Sequence, residues 1–329
     1  MRDSGQKLEY QGVRVVVTGA TGFIGRWVRR LLNGEGADLW VVARSEQGVN
    51  DFSKTNSLRT KVVIGDLSKP GVFERLLTEI QPDITFNLTG YGVSRFEKDE
   101  SMAWKINAEL VEEIALTISE QFESEWKGLR LVHVGSGFEY GSNRDEITED
   151  TEPKPNTTYG MSKLTGTKNI QEICSATGLR AVTARLFTVY GPGENEERLL
   201  PTILKAAKMG GDIKLTKGEQ ERDFTYVKDV AIGLLKLGQV SDIPGNIVNL
   251  AMGKLTSVRD FVECARDLLD IEPSRFLFGS IPYREDEIRQ GKVNVNFLRN
   301  CTDWLPSYSI YDGIKETIEF EKQILRQEV

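Results

Sequence analysis

Two rhythms of apolar residues alternate along the first half of the chain. Short β-branched runs at 13–18, 38–43, 61–64, 84–88 and 129–135 read as strands buried on both faces. Between them, apolar residues recur three or four apart, the spacing of a helix with one covered face. This predicts helices over 26–32, in register with Phe23, Trp27 and Leu31, and over 72–80. A longer one runs over 100–120, where Met102, Ile106, Leu110, Ile114 and Ile118 repeat every fourth residue. Residues 145–156 are acidic, carry Pro153 and Pro155, and read as a surface loop. A further helix begins near Thr158, and a strand follows over 180–189.

Strands alternating with helices predict an α/β fold, a doubly wound parallel Rossmann sheet. Beyond Gly191 the order breaks down, apart from one buried strand at 246–250 that returns to the sheet. The expected organisation is a dinucleotide-binding domain over 1–190 and a smaller, mainly substrate-binding lobe over 191–329. Ligands in such sheets bind in the crevice at the carboxyl ends of the strands.

The first strand runs into Thr18-Gly-Ala-Thr-Gly-Phe-Ile-Gly25. Glycines at 19, 22 and 25 form a tight turn that lets the backbone approach a pyrophosphate and opens a helix whose amides face it. Thr21, Phe23 and Ile24 share that turn. The second strand ends in Ala43-Arg44-Ser45, where an acidic residue would accept from an adenosine ribose and a guanidinium suits the extra phosphate of NADP. The cofactor is read as NADP, with NAD the alternative. In Gly65-Asp66-Leu67, Asp66 either accepts from the adenine amino group or caps the next turn.

Bulk properties narrow the class. A chain of 329 residues with net charge −7 has no broad basic surface for nucleic acid or an anionic membrane. No apolar run resembles a secretory signal or a membrane span, so a soluble cytoplasmic protein is expected. Cys174, Cys264 and Cys301 are far apart and read as buried apolar groups in a reducing compartment. His133, the only histidine, lies in a strand run, so neither a Cys/His metal site nor a Ser-His-Asp triad is expected.

Tyr159-Gly-Met-Ser-Lys163 places a phenol and an ammonium four residues apart on one helix face. A neighbouring cation favours the ionised phenol and brings it toward acid or base work; an exposed helix carries such a pair by chance as well. Ser136, in Gly135-Ser-Gly-Phe-Glu-Tyr-Gly141, leaves a strand at the same edge. It either hydrogen-bonds a carbonyl oxygen that Tyr159 protonates or serves as a turn residue.

Taken with Arg185-Leu-Phe-Thr-Val-Tyr-Gly-Pro-Gly193 and Arg222-Asp-Phe-Thr-Tyr-Val-Lys-Asp-Val-Ala231, these segments resemble the extended short-chain dehydrogenase/reductases, which act on nucleotide-linked sugars. The likeness runs from Val13 to Pro306. It implies a catalytic set of Ser136, Tyr159 and Lys163, with Asn107 supporting the lysine through water. It further implies that Arg222 and Arg284 lie near a nucleoside diphosphate, with Thr188 and Leu200 beside the sugar nucleotide. It also implies a homodimer packed through helices 100–120 and 158–176, which would bury the apolar stripe.

Departures from the family pattern narrow the activity. Dehydratases place an acidic pair directly after the serine position; here Gly137 and Phe138 stand there, with Glu139 one residue out of place. No histidine follows His133 for an epimerase-reductase, Thr188 replaces a common asparagine, and Lys228 replaces a common aspartate. The expected reaction is NADPH-dependent reduction of a nucleotide-linked 4-keto-6-deoxy sugar. The alternatives are an NAD-dependent 4-epimerase and a catalytically idle cofactor-binding member.

Overall fold

A computed structural model describes residues 8–44, 60–92, 96–120, 124–283 and 287–327. Seven parallel strands form the central sheet in the order β10-β6-β5-β4-β1-β2-β3. They are β1 (Arg14–Thr18), β2 (Asp38–Ala43), β3 (Lys61–Ile64), β4 (Ile84–Asn87), β5 (Leu131–Ser136), β6 (Ala181–Leu186) and β10 (Ile247–Leu250). Val15 and Val17 of β1 enter one apolar core and Val16 the other, which is why the strands read as unbroken hydrophobic runs.

One face is covered by α1 (Phe23–Gly34) and α7 (Val227–Gly238), so the second half of the chain packs directly on the first helix. The other carries α2 (Val72–Ile80), α4 (Leu110–Glu120) and α5 (Thr158–Thr177). The remaining helices are α6 (Leu199–Met209), α8 (Val258–Leu269), α9 (Asn296–Thr302) and α10 (Ile310–Gln327). Small sheets are formed by β7 (Thr188–Tyr190), β9 (Glu221–Tyr226) and β11 (Leu255–Ser257), and by β8 (Ile213–Leu215) with β12 (Phe276–Phe278). As the sequence predicts, β10 returns to the sheet, pairing with β6.

Three expectations are refined. The strand at 180–189 divides at Phe187, and β7 leaves the central sheet to pair with β9. The helix over 100–120 keeps its predicted bounds but is not α-helical throughout: α3 (Glu100–Trp104) passes into α4 through a π-helical turn, Lys105–Glu109. Most of the apolar stripe is already covered within the chain: Ile106, Leu110, Ile114 and Ile118 are at most 9% exposed and pack with Phe73, Leu77 and Ile170. Among the described residues, no helix is long and apolar enough to cross a membrane.

Candidate active site

The order of strands reverses between β1 and β4, and the crevice outside their carboxyl ends is where a ligand fits such a sheet. Gly19 turns the chain there at φ +65°, and a Cβ on it would lie 2.6 Å from the Leu88 carbonyl oxygen. A Cβ on Gly25 would lie 2.2 Å from the Gly19 oxygen, so only glycine brings α1 this close to the turn. The N-cap of α1 is Gly22, no side chain caps it, and no acidic residue occupies its first turn. The amides that open this helix therefore suit an anion, and the turn fits the pyrophosphate of a dinucleotide. Thr21, Phe23 and Ile24 lie in and just after that turn.

Arg44 is exposed immediately after β2, close enough to Asp66 to contribute to lowering its pKa. Asp66 caps its own turn: its Oδ1 accepts the Ser68 backbone N–H at 3.0 Å and the Ser68 hydroxyl at 2.7 Å. Those bonds hold its carboxyl below the usual range. Leu67 is buried beside it.

Ser136 ends β5 and caps the 3-10 turn Gly137–Tyr140, its Oγ accepting the Phe138 N–H at 3.2 Å. The Thr157 hydroxyl accepts the Gly160 N–H at 3.0 Å and starts α5. A Cβ on Gly160 would fall 2.6 Å from the Phe138 oxygen, so glycine lets the helix meet the turn. The turn and the helix start consequently bring Ser136 beside Tyr159, near enough for its hydroxyl to act on the phenol. Tyr159 is half-buried, and Phe138 packs edge-on against it at 5.6 Å.

The electrostatics differ from the simple pairing predicted for Tyr159 and Lys163. Burial pushes the Tyr159 phenol up to about 12, opposed by the nearby Ser136 hydroxyl. The phenol is thus held protonated instead of ionised by its neighbour. Burial brings Lys163 down to about 8, opposed by the charge of Glu139. Its Nζ donates to the Val134 carbonyl at 3.0 Å.

Asn107 sits fully buried in the π turn. Its carboxamide accepts the Tyr91 N–H at 3.0 Å, donates to the Tyr91 carbonyl at 2.8 Å and donates to the Ser162 hydroxyl at 3.0 Å. A Cβ on Gly90 would be 3.3 Å from Lys163 Nζ and 3.8 Å from Asn107 Oδ1, so both border the same backbone wall. Ser162 and the Tyr91 backbone are partners that the motif spacing did not reveal. A π turn at a functional helix is a recognised association.

The residues assigned to substrate are less uniformly placed. Thr188 opens β7 with partial exposure, whereas Leu200 is 1% exposed within the core. Arg222 pairs with Glu287, and Arg284 lies outside the described residues. Lys228 donates to the Tyr308 hydroxyl at 2.8 Å and lines a separate hollow with Trp27, Glu316 and Phe320. Glu194, which follows the Gly-Pro-Gly segment, pairs with Arg198 at 3.3 Å, and burial pushes its carboxyl up to about 7.

Comparison with known proteins agrees with this architecture. The chain is 24% identical over 276 residues to dTDP-glucose 4,6-dehydratase of Xanthomonas campestris pv. campestris, covering 78% of each. It superposes with a TM-score of 0.81 on dTDP-glucose 4,6-dehydratase of Bacillus anthracis in complex with NAD, at 20% identity over 95% of this chain and 97% of that one. For UDP-glucose 4-epimerase of Thermotoga maritima with UDP-glucose, the TM-score is 0.84 at 20% identity over 94% and 99%. The family described as the NAD dependent epimerase/dehydratase family matches residues 15–251, most of the sheet together with its glycine turn and the Ser136, Tyr159 and Lys163 elements, and the chain belongs to that family.

Proposed function

We propose that this chain reduces a nucleoside-diphosphate 4-keto-6-deoxy sugar with NADPH. The observation that carries this reading is the turn after Ser136. Removing water across two carbons needs an acid and a base besides the phenol, and the positions for them hold Gly137 and Phe138, the latter 46% exposed. Glu139 is no substitute, because it is 0% exposed and its carboxylate is bonded to Ser136, Thr167 and Arg185.

When bound, the reduced nicotinamide supplies the hydride. The Gly19 to Gly25 turn would hold its pyrophosphate, Arg44 the 2′-phosphate, and Lys163 the nicotinamide ribose. Ser136 donates a hydrogen bond to the ketone oxygen, and Tyr159 gives that oxygen its proton. A phenol held protonated by burial suits this direction of reaction. Asn107 keeps the helix turn before Lys163 in place through Ser162. Arg222 and Arg284 would face the diphosphate, Arg222 sharing its charge with Glu287.

Purified protein distinguishes this reading from a 4-epimerase at little cost. A reductase arrives empty and oxidises added NADPH with a 4-keto-6-deoxy sugar; an epimerase arrives with NAD bound and consumes none. Arg44→Ala should raise the KM for NADPH by roughly 10- to 100-fold, the loss of one charge-assisted contact, with little change for NADH. Equal effects on both cofactors would remove Arg44 from phosphate recognition.

The pH profile follows from Lys163. Its ammonium must be charged to hold ribose and phenol, and it loses its proton as pH rises through about 8. kcat/KM for reduction should therefore fall above that value, while the phenol stays protonated throughout the range. A plateau extending to about pH 10, where an ordinary lysine titrates, would contradict the assignment.

A further inference from the structure

Glu139 is the charged group nearest Ser136 in sequence, and the proposed chemistry leaves it unused. Its carboxylate joins three elements. Oε1 accepts the Ser136 backbone N–H at 2.8 Å, while Oε2 accepts the Thr167 hydroxyl of α5 at 2.9 Å and Nε of Arg185 on β6 at 2.7 Å. Arg185 is 1% exposed, with its guanidinium carbon 4.2 Å from the centre of the Tyr140 ring. Tyr140 in turn stacks on Phe187 and donates to Asn249 at 2.8 Å.

Thr167 follows Lys163 by four residues, so both lie on one face of α5. The same carboxylate that grips the Ser136 turn therefore grips the helix beside the catalytic amine. We propose that Glu139 is a positioning residue of the site: it locks the Ser136 turn to the helix bearing Tyr159 and Lys163, and it is the counter-charge that Lys163 faces inside the protein. A fully buried ion pair is weak evidence of net stabilisation, since well-packed apolar residues serve as well or better. Its three-way bonding accounts for its presence in terms of placement.

The titratable groups around Glu139 come from each packed element. Arg185 faces it from β6, Tyr159 and Lys163 from α5, and Tyr140 from its own turn. His133 of β5 is held neutral by burial and by Lys163, and Glu149 approaches Arg185 from the acidic loop. Lys163 differs from Arg185 in that its hydrogen bond goes to a neutral carbonyl. Glu139 acts on it in the direction that keeps it an ammonium.

The consequence for catalysis rests on the reductase reading, but the test does not need turnover. In 13C-lysine-labelled full-length protein, the Lys163 side-chain resonance, assigned by its loss in K163M, is followed over pH in wild type, E139Q, T167V and E139Q/R185M. Wild type should titrate near 8. E139Q should titrate lower by about one unit or more, the effect of removing a nearby opposite charge. T167V should leave the midpoint in place, and the double variant, which leaves no unpaired buried charge, should repeat the E139Q shift if E139Q alone does not fold. An unmoved midpoint in the folded Glu139 variants, an equal shift in T167V, or failure of both Glu139 variants to fold would reduce Glu139 to a structural residue and overturn the proposal. Failure of the reductase reading is seen separately, as wild-type protein that oxidises no NADPH with any keto sugar.

Discussion

Tyr159→Phe should lower the rate of keto-sugar reduction by about 10²- to 10⁴-fold, the usual contribution of a positioned general acid. The ring itself remains, so the edge-on packing against Phe138 is kept and only the hydroxyl is lost. Its loss costs about 0.5–1.5 kcal/mol of stability, the range for a single polar contact. The melting temperature should therefore fall only a few degrees, and NADPH should still bind. A variant that turns over at the wild-type rate would show that the oxygen receives its proton elsewhere. A variant that fails to fold would show that the phenol is a core group first.

Gly25→Ala should damage cofactor binding without touching any catalytic group. The added methyl would sit 2.2 Å from the Gly19 oxygen and 2.7 Å from the Ala20 Cα, and both are backbone atoms that no rotamer change can move. Either α1 retreats from the turn or the turn opens, at a strain of about 1–3 kcal/mol. In both cases the helix amides leave the pyrophosphate, and the NADPH Kd should weaken more than about tenfold. Gly34→Ala is the control, since no atom lies within 4 Å of its would-be Cβ at the far end of the same helix. Titration of the two variants by nicotinamide fluorescence separates them. Equal affinities would mean that the turn is only a connection.

Much of the site is legible in the sequence because it depends on short spacings within single elements. The three-residue glycine interval, the four-residue Tyr159 to Lys163 interval and the serine at a strand end are each local, and local geometry converts directly into placement. What stayed hidden depends on contacts between elements. The apolar stripe from Met102 to Ile118 repeats every four residues, which in a regular helix drifts by about 40° per repeat. That drift is the one sequence signal for the π turn that presents Asn107. Nothing in the sequence shows that α2 and α5 of the same chain cover most of that stripe.

The break at Phe187 lies in a run of continuous β-type residues, so the departure of β7 toward β9 leaves no local trace. Glu139 looked like a displaced dehydratase acid because spacing alone does not give direction. The 3-10 turn after Ser136 rotates it into the core, onto Arg185, and leaves Phe138 facing out beside Tyr159. The phenol's protonation is hidden from the sequence for a related reason. A neighbouring charge is visible in sequence, whereas the burial that outweighs it is a property of the folded chain.

In the proposed reaction a hydride goes from NADPH to carbon 4 of the sugar and a proton goes from Tyr159 to its oxygen. Wild-type protein incubated with NADPH deuterated at the transferable position and a nucleoside-diphosphate 4-keto-6-deoxy sugar should yield NADP and, by NMR, an alcohol carrying one deuterium at carbon 4 for each cofactor oxidised. Sugar recovered unreduced, or interconverted at carbon 4 with the added cofactor untouched, would contradict it.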